Sequence, residues 1–309
     1  MKYIDVGLTL PHLGSVARRE NIIRLEVDAE AEGIDSLWVA ERLLWPLNPQ
    51  TPYQPTPDGS LPTFYQNVFD PLETLTFVAA NTEKIALGTS VIDMFFHNPV
   101  VLGRRFSTLD VFSQGRAIAG LGIGWSKDEY QVSNVPYERR GERADEYVQL
   151  LKRIWTDDVV EFKGKYYTIP ASKIGPKPIH KPHIPIYLGG FSSNTFKRIV
   201  NFNLDGWLAS VGGPLEYLDK SIKDLRDYAE KAKKDPNKFE IITLTFPQIM
   251  DSNKSNDKRF PMSGSIDQIG SDLKKIKGMG VKHVVFAFAG IEDLHQEIDL
   301  AKQLSTFLK

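Results

Sequence analysis

Residues 85–121 read IALGTS (85–90), VIDMFFHN (91–98), PVVLGRRFSTLDVF (99–112), SQGR (113–116) and AIAGL (117–121). The first and last pieces are short apolar runs suited to buried strands, and the middle is an amphipathic helix opened by Pro99 and stopped by Gly115. Strand, crossover helix and strand in this order make a βαβ unit with parallel strands. The same unit recurs in both directions. Candidate strands are Tyr3–Leu10, Ser36–Ala40, Ile85–Ser90, Ala117–Leu121, Ile184–Leu188, Gly206–Ala209, Glu240–Phe246 and His283–Phe288. Helices are expected near Asn21–Glu32, Asp70–Ala80, Pro99–Phe112, Glu138–Trp155, Ser192–Phe202, Pro214–Lys233, Ser265–Met279 and Glu292–Leu308. Eight pairs in strict alternation predict a (β/α)8 TIM barrel, a fold that uses about 250 residues or more. The chain has 309.

Local chemistry marks the ends of these elements. Asp70-Pro71 is an N-cap followed by a first-turn proline, Gly213-Pro214 is read the same way, and Gly33, Gly115 and Gly280 end apolar-periodic runs. Two stretches exceed a minimal barrel. Residues 41–69, with Pro46, Pro49, Pro52, Pro55, Pro57 and Pro62, form an extended loop after the second strand. Within residues 156–183, two alternating runs around Lys163-Gly164 predict a β-hairpin inserted before the fifth strand. Residues 1–309 are therefore read as one domain with two insertions.

Composition narrows the function. Lys and Arg number 38 against 39 Asp and Glu, a net charge of −1, so no global field holds a nucleic acid or an anionic membrane. The chain has no cysteine, which removes disulfides, thiolate metal sites and cysteine nucleophiles together. It begins as a strand rather than a secretory signal, so a cytoplasmic protein is expected.

In such barrels the chemistry sits at the C-terminal ends of the strands. These ends carry Pro11 and His12, Glu41 and Arg42, Ser90 to Asp93 with His97, Gly122 to Trp125, Gly189 and Gly190, Ser210 to Gly213, Pro247 and Gln248, and Ala289 and Gly290. No lysine stands among them for a Schiff base, and no set of ligands suits a metal. Glycine is what they offer. Gly189-Gly190-Phe191-Ser192-Ser193 brings backbone N–H groups and hydroxyls to a helix N-terminus, where a cofactor phosphate can sit; alternatively the glycines only turn the chain and a serine only caps the helix. Gly120-Leu121-Gly122-Ile123-Gly124-Trp125 is no dinucleotide fingerprint, because Trp125 replaces its third glycine; clearance for a flat ring is the better reading.

Several ordered motifs resemble those of the bacterial luciferase-like flavin- and deazaflavin-dependent oxidoreductases over nearly the whole chain. They are Ala31–Val39, Asp70–Glu73, Thr82–Val91, Leu109–Arg116, Gly122–Trp125, Arg139–Arg143, and Ile186–Gly190 with Asp205–Trp207. The coenzyme F420-dependent subgroup is the most similar, through Glu41-Arg42, Trp125–Glu129 and Gly175–Pro178. The resemblance implies a ring lying across the strand ends, with Gly122, Gly124 and Trp125 alongside and Ser90 and Val91 supporting it across the non-prolyl cis bond often found there; ordinary extension of the strand at Ser90-Val91 is the alternative. It places the phosphate near Gly189, Gly190, Ser192 and Ser193, and relatives of this kind often form homodimers.

Many hydride-transferring relatives carry an acid followed by histidine where this chain has Glu41-Arg42. Arginine stays protonated, so Arg42 is a clamp for an anionic group and not a general acid or base. Glu41 suits proton transfer if burial raises its pKa; a salt bridge between the two is the structural alternative. His97 suits proton exchange, or else caps the next helix or faces solvent. His12 poses the same choice. Asp128 and Glu129 begin a helix or touch ligand, and Trp45, Tyr53, Phe64 and Tyr65 wall an apolar pocket or pack under a lid. The expected activity is hydride transfer between coenzyme F420 and a small organic substrate. The alternatives are an FMN-dependent monooxygenase of aldehydes, alkanes or sulfonates, and a non-catalytic flavin-binding protein.

Overall fold

The computed structural model describes residues 4–250, 259–288, 291 and 293–309. Tyr3, Ala289, Gly290 and Glu292, named above, lie outside the described residues. Eight parallel strands close on themselves: Asp5–Thr9 (β1), Ser36–Val39 (β2), Ala86–Thr89 (β3), Ala117–Gly122 (β4), Ile186–Gly189 (β5), Gly206–Val211 (β6), Glu240–Thr245 (β7) and His283–Phe286 (β8). Each pairs with the next, and β8 returns to β1 with Val6 opposite Val284. The (β/α)8 barrel expected from alternation is the fold, with boundaries moved by one or two residues.

Around the barrel lie Arg19–Ala31 (α1), Pro71–Asn81 (α2), Pro99–Phe112 (α3), Lys127–Val132 (α4), Arg140–Thr156 (α5), Ser193–Asn201 (α6), Leu215–Lys231 (α7), Ile266–Gly278 (α8) and Leu294–Ser305 (α9). The caps explain several starts. The side chains of Asp70 and Asn98 each accept two backbone N–H groups ahead of a first-turn proline. Ser265 and Gln268 form a reciprocal capping box on α8. Gly115 and Gly280 leave their helices at φ +86° and +83°, which a side chain disfavours. Pro214 departs from its expected place, occupying the N-cap of α7 without a side-chain bond. α4 lies outside the eight paired helices and is the short helix that Asp128 and Glu129 are read as beginning: Ser126 caps it, and both acids fill its first turn where the dipole favours them.

Strand residues face two ways. Leu8, Leu37, Val39, Leu87, Leu121 and Phe286 pack outward with the helices, whereas Trp38, Tyr187, Leu208, Ile242 and Val285 fill the lumen. Burial on both faces is why these strands read as continuous apolar runs. Trp38 takes the space its neighbours leave: a Cβ on Gly88 would stand 2.4 Å from its ring. Its indole N–H donates to Ser36 Oγ at 2.6 Å, and Ser36 lies 2.7 Å from His283 Nε2.

Both insertions take the expected form. Val160–Lys163 and Thr168–Ser172 pair antiparallel, and the hairpin tip is held by Glu146 on α5, which accepts from the backbone of Lys165, Tyr166 and Tyr167. The loop after β2 has a 3-10 turn at Thr63–Gln66 and is tied down by Trp45 Nε1 donating to Leu61 O and by Gln50 N donating to Asp128. It covers one side of the barrel mouth.

Candidate active site

The Ser90–Val91 peptide bond is cis, as the family resemblance implies. Beyond it, Ile92 and Asp93 rejoin the barrel by pairing with Leu121 and Gly122 of β4. Val91 is half-buried in the mouth. A Cβ on Gly122 would meet its Cγ2 at 2.6 Å, and one on Gly189 would meet Cγ1 at 3.2 Å. The floor here is thus one valine and bare backbone, with Gly124 continuing it at φ +67°. Such a surface accepts a flat ring closely.

Glu41, at the end of β2, is buried beside this floor. Its Oε1 lies 2.6 Å from His97 Nε2, and its Oε2 accepts the Asp93 backbone N–H at 2.8 Å. His97 therefore neither caps α3 nor stands free in solvent. Asn98 makes the cap, which leaves His97 to turn inward, and Tyr147 donates to its carbonyl. Among the described residues His97 Nδ1 has no hydrogen-bond partner. Asp93 adds a second acid, accepting from Gly124 N at 2.9 Å. Burial, and then the charges of Glu41 and Glu129, push its carboxyl up to about 7.

Glu41 and Arg42 do not pair with each other, because adjacent extended residues point apart. Arg42 turns to α4 and donates from Nη1 to Glu129 Oε2 at 2.9 Å, while Glu129 Oε1 accepts Leu43 N at 2.8 Å. Burial raises the Glu129 carboxyl, and Arg42 offsets part of that rise. The guanidinium lies 4.8 Å from the Trp125 ring centroid and 5.4 Å from that of Tyr65. Tyr53 stands against both rings, at 5.5 and 6.1 Å, and Phe64 packs on Tyr65 at 4.4 Å. Loop aromatics and strand-end charges form one wall.

His12 has another task. It is buried, its Nδ1 lies 2.7 Å from Leu10 O, and its Nε2 accepts Ala40 N at 2.7 Å, so it ties β1 to the end of β2 as a neutral ring. Across the mouth, Gly190 has φ +106° and its carbonyl accepts from Trp207 Nε1. Ser192 caps α6 by accepting Thr195 N at 3.2 Å, and both Ser192 and Ser193 are exposed. The capping reading of Ser192 is realised. Among the described residues no His, Asp and Glu cluster fits a metal ion. In the sequence Asp93 and Glu129 stand only as members of a stretch, Asp93 among the strand ends and Glu129 as a helix start or ligand contact, and neither is singled out for the site. Only their burial distinguishes them.

Residues 6–282 match the luciferase-like monooxygenase family, and the chain belongs to it. It is an oxidoreductase of that class. An uncharacterised Mycobacterium tuberculosis protein is 31% identical over 209 residues, covering 67% of this chain and 73% of that one. An F420-dependent glucose-6-phosphate dehydrogenase of Amycolatopsis mediterranei is 28% identical over 257 residues, covering 80% and 72%. An F420-dependent secondary alcohol dehydrogenase, solved with an F420-acetone adduct, superposes over 100% of both chains at TM-score 0.78 and 18% identity. The long-chain alkane monooxygenase LadA covers 99% and 92% at TM-score 0.75 and 14% identity. Likeness at this identity extends to the fold alone.

Proposed function

We propose that the protein takes coenzyme F420 and catalyses hydride transfer between it and a small organic substrate. The observation that carries this reading is the Glu41–His97 pair, set at 2.6 Å beside a floor of Val91, Gly122 and Gly189. The names of its F420-dependent relatives support it as well. When bound, the deazaflavin supplies the two-electron centre that gives or takes the hydride. The protein does the rest. Bare backbone at Gly122 and Gly189 receives the ring over Val91, and the N–H groups of the turn at Gly190, with Ser192 and Ser193, receive phosphate. His97 exchanges the accompanying proton with the substrate oxygen through Nδ1, while Glu41 orients the ring through Nε2 and balances its charge. The loop aromatics exclude water from this wall.

Titration of the purified protein with F420 and with FMN, followed by each cofactor's fluorescence, tests the reading. Saturable F420 binding and its reduction by an alcohol are expected. Tight FMN binding with oxygen consumption, and no F420 binding, would overturn it in favour of a monooxygenase.

A further inference from the structure

Asp93 borders the floor that suits a flat ring. A Cβ on Gly122 would stand 2.6 Å from Val91 Cγ2 and equally 2.6 Å from Asp93 Oδ1, and one on Gly124 would stand 3.4 Å from Asp93 Oδ2. The carboxyl therefore lies against the same bare patch of backbone as the valine. Asp93 is 8% exposed, and its two oxygens differ. Oδ1 accepts the Gly124 N–H at 2.9 Å. Oδ2 has no hydrogen-bond partner among the described residues and is not sealed from solvent.

The groups around this carboxyl keep a proton on it. Glu41, at the end of β2, accepts the backbone N–H of Asp93 itself, and Glu129 on α4 adds a second negative charge. Arg42 opposes them, but its guanidinium is bonded to Glu129, and His97 is bonded to Glu41. Tyr130 of α4 stays neutral through burial, its hydroxyl donating to Ile123 O. Burial first, and then the two acids, raise the carboxyl to about 7. A flavin-type ring presents mainly acceptors along its edge, as carbonyl oxygens and ring nitrogens. A carboxylate beside them sets lone pair against lone pair, whereas a carboxylic acid has one O–H to give.

We propose that Asp93 holds the cofactor ring as a neutral carboxylic acid, with Oδ1 fixed on the Gly124 N–H and Oδ2–H donated to an acceptor on the ring edge. The proposal rests on the reading above in needing a flavin-type ring, and it holds for F420 and FMN alike. Binding is then linked to protons with a definite sign. Cofactor affinity is full while the carboxyl is protonated and falls as pH rises through 7, because the ionised group takes up a proton when the ring seats.

Calorimetric titration with F420 and with FMN, in two buffers of different ionisation enthalpy, reads this proton directly. At about pH 8.5 the unmodified protein should take up about one proton more than Asp93→Asn, which keeps a neutral N–H donor and does not titrate. At about pH 6 the two proteins should agree in uptake, and in affinity within a few-fold. At the higher pH the variant should bind about tenfold or more tightly than the unmodified protein. Infrared difference spectra of the unmodified protein, with its aspartate carboxyls isotopically labelled, should show a carboxylate lost and a protonated carboxyl gained on binding at the higher pH. That measurement decides the point even if the variant fails to fold. Equal proton uptake by the two proteins at the higher pH, or tighter ring binding by the ionised form, overturns the proposal. F420 binding with equal uptake removes the role of Asp93 alone. Binding of FMN and not F420 removes the F420 reading and leaves Asp93 to be decided on FMN, and binding of neither overturns both.

Discussion

Glu41 Oε1 and His97 Nε2 stand 2.6 Å apart although 56 residues separate them in the chain. The carboxylate holds the ring by one nitrogen, and the other has no hydrogen-bond partner among the described residues. Replacing His97 by Asn, or Glu41 by Gln, should lower kcat by about 10²-fold or more, the usual scale for losing a positioned proton-transfer group. The pH dependence of kcat should change shape in both variants while F420 affinity stays within a few-fold. Unchanged turnover and an unchanged profile in His97→Asn would place proton exchange elsewhere.

Asp93 makes a stability prediction with a definite sign. Its carboxyl is raised from 3.8 to about 7 in the folded protein, so folding favours the protonated form. The associated stability is present in full below about pH 4 and is lost as pH rises through 7. Asp93→Asn removes that loss, so the variant should gain about 2–4 kcal/mol on the unmodified protein between pH 4 and 8. Urea unfolding at a series of pH values measures the gap, and a constant gap contradicts the burial argument.

His12 predicts the opposite slope. Burial pushes its imidazole down from 6.5 to about 4, so the folded state resists protonation. Stability is complete above pH 6.5 and falls as pH drops through 4, by about 3 kcal/mol from this ring alone. Removing it with His12→Gln should flatten the acid limb of the stability curve. The Ala40 N–H then still finds a side-chain acceptor within reach.

Gly88 has no freedom to grow. Alanine there places its Cβ 2.4 Å from the Trp38 ring in the filled lumen, so Gly88→Ala should cost about 1–3 kcal/mol in chemical denaturation. The double variant Gly88→Ala with Trp38→Phe should recover part of it. No recovery would mean that the strain arises from another neighbour.

Much of this molecule is local in origin and therefore legible. A buried run such as Ala117–Leu121, a capped helix such as Pro99–Phe112 and a stop such as Gly115 each express backbone preferences over a few residues, and their alternation specifies a barrel. Side-chain partnership was not legible in the same way. Glu41 and Arg42 invite pairing with each other, yet extended neighbours project to opposite sides, and each finds its partner only after the barrel has closed. Arg42 reaches Glu129 across 87 residues, and His12 spends both nitrogens on backbone rather than on chemistry.

The sequence by itself determined the alternation, the ends of the elements, the two insertions and the ring of strand ends where chemistry can occur, because these depend on short-range periodicity and capping. Only the tertiary structure decided that Asp93 is buried beside Glu41, that His97 turns inward onto Glu41, and that the charge of Arg42 is matched by Glu129. Those properties depend on burial and on distances near 3 Å between residues far apart in the chain, which no local pattern encodes.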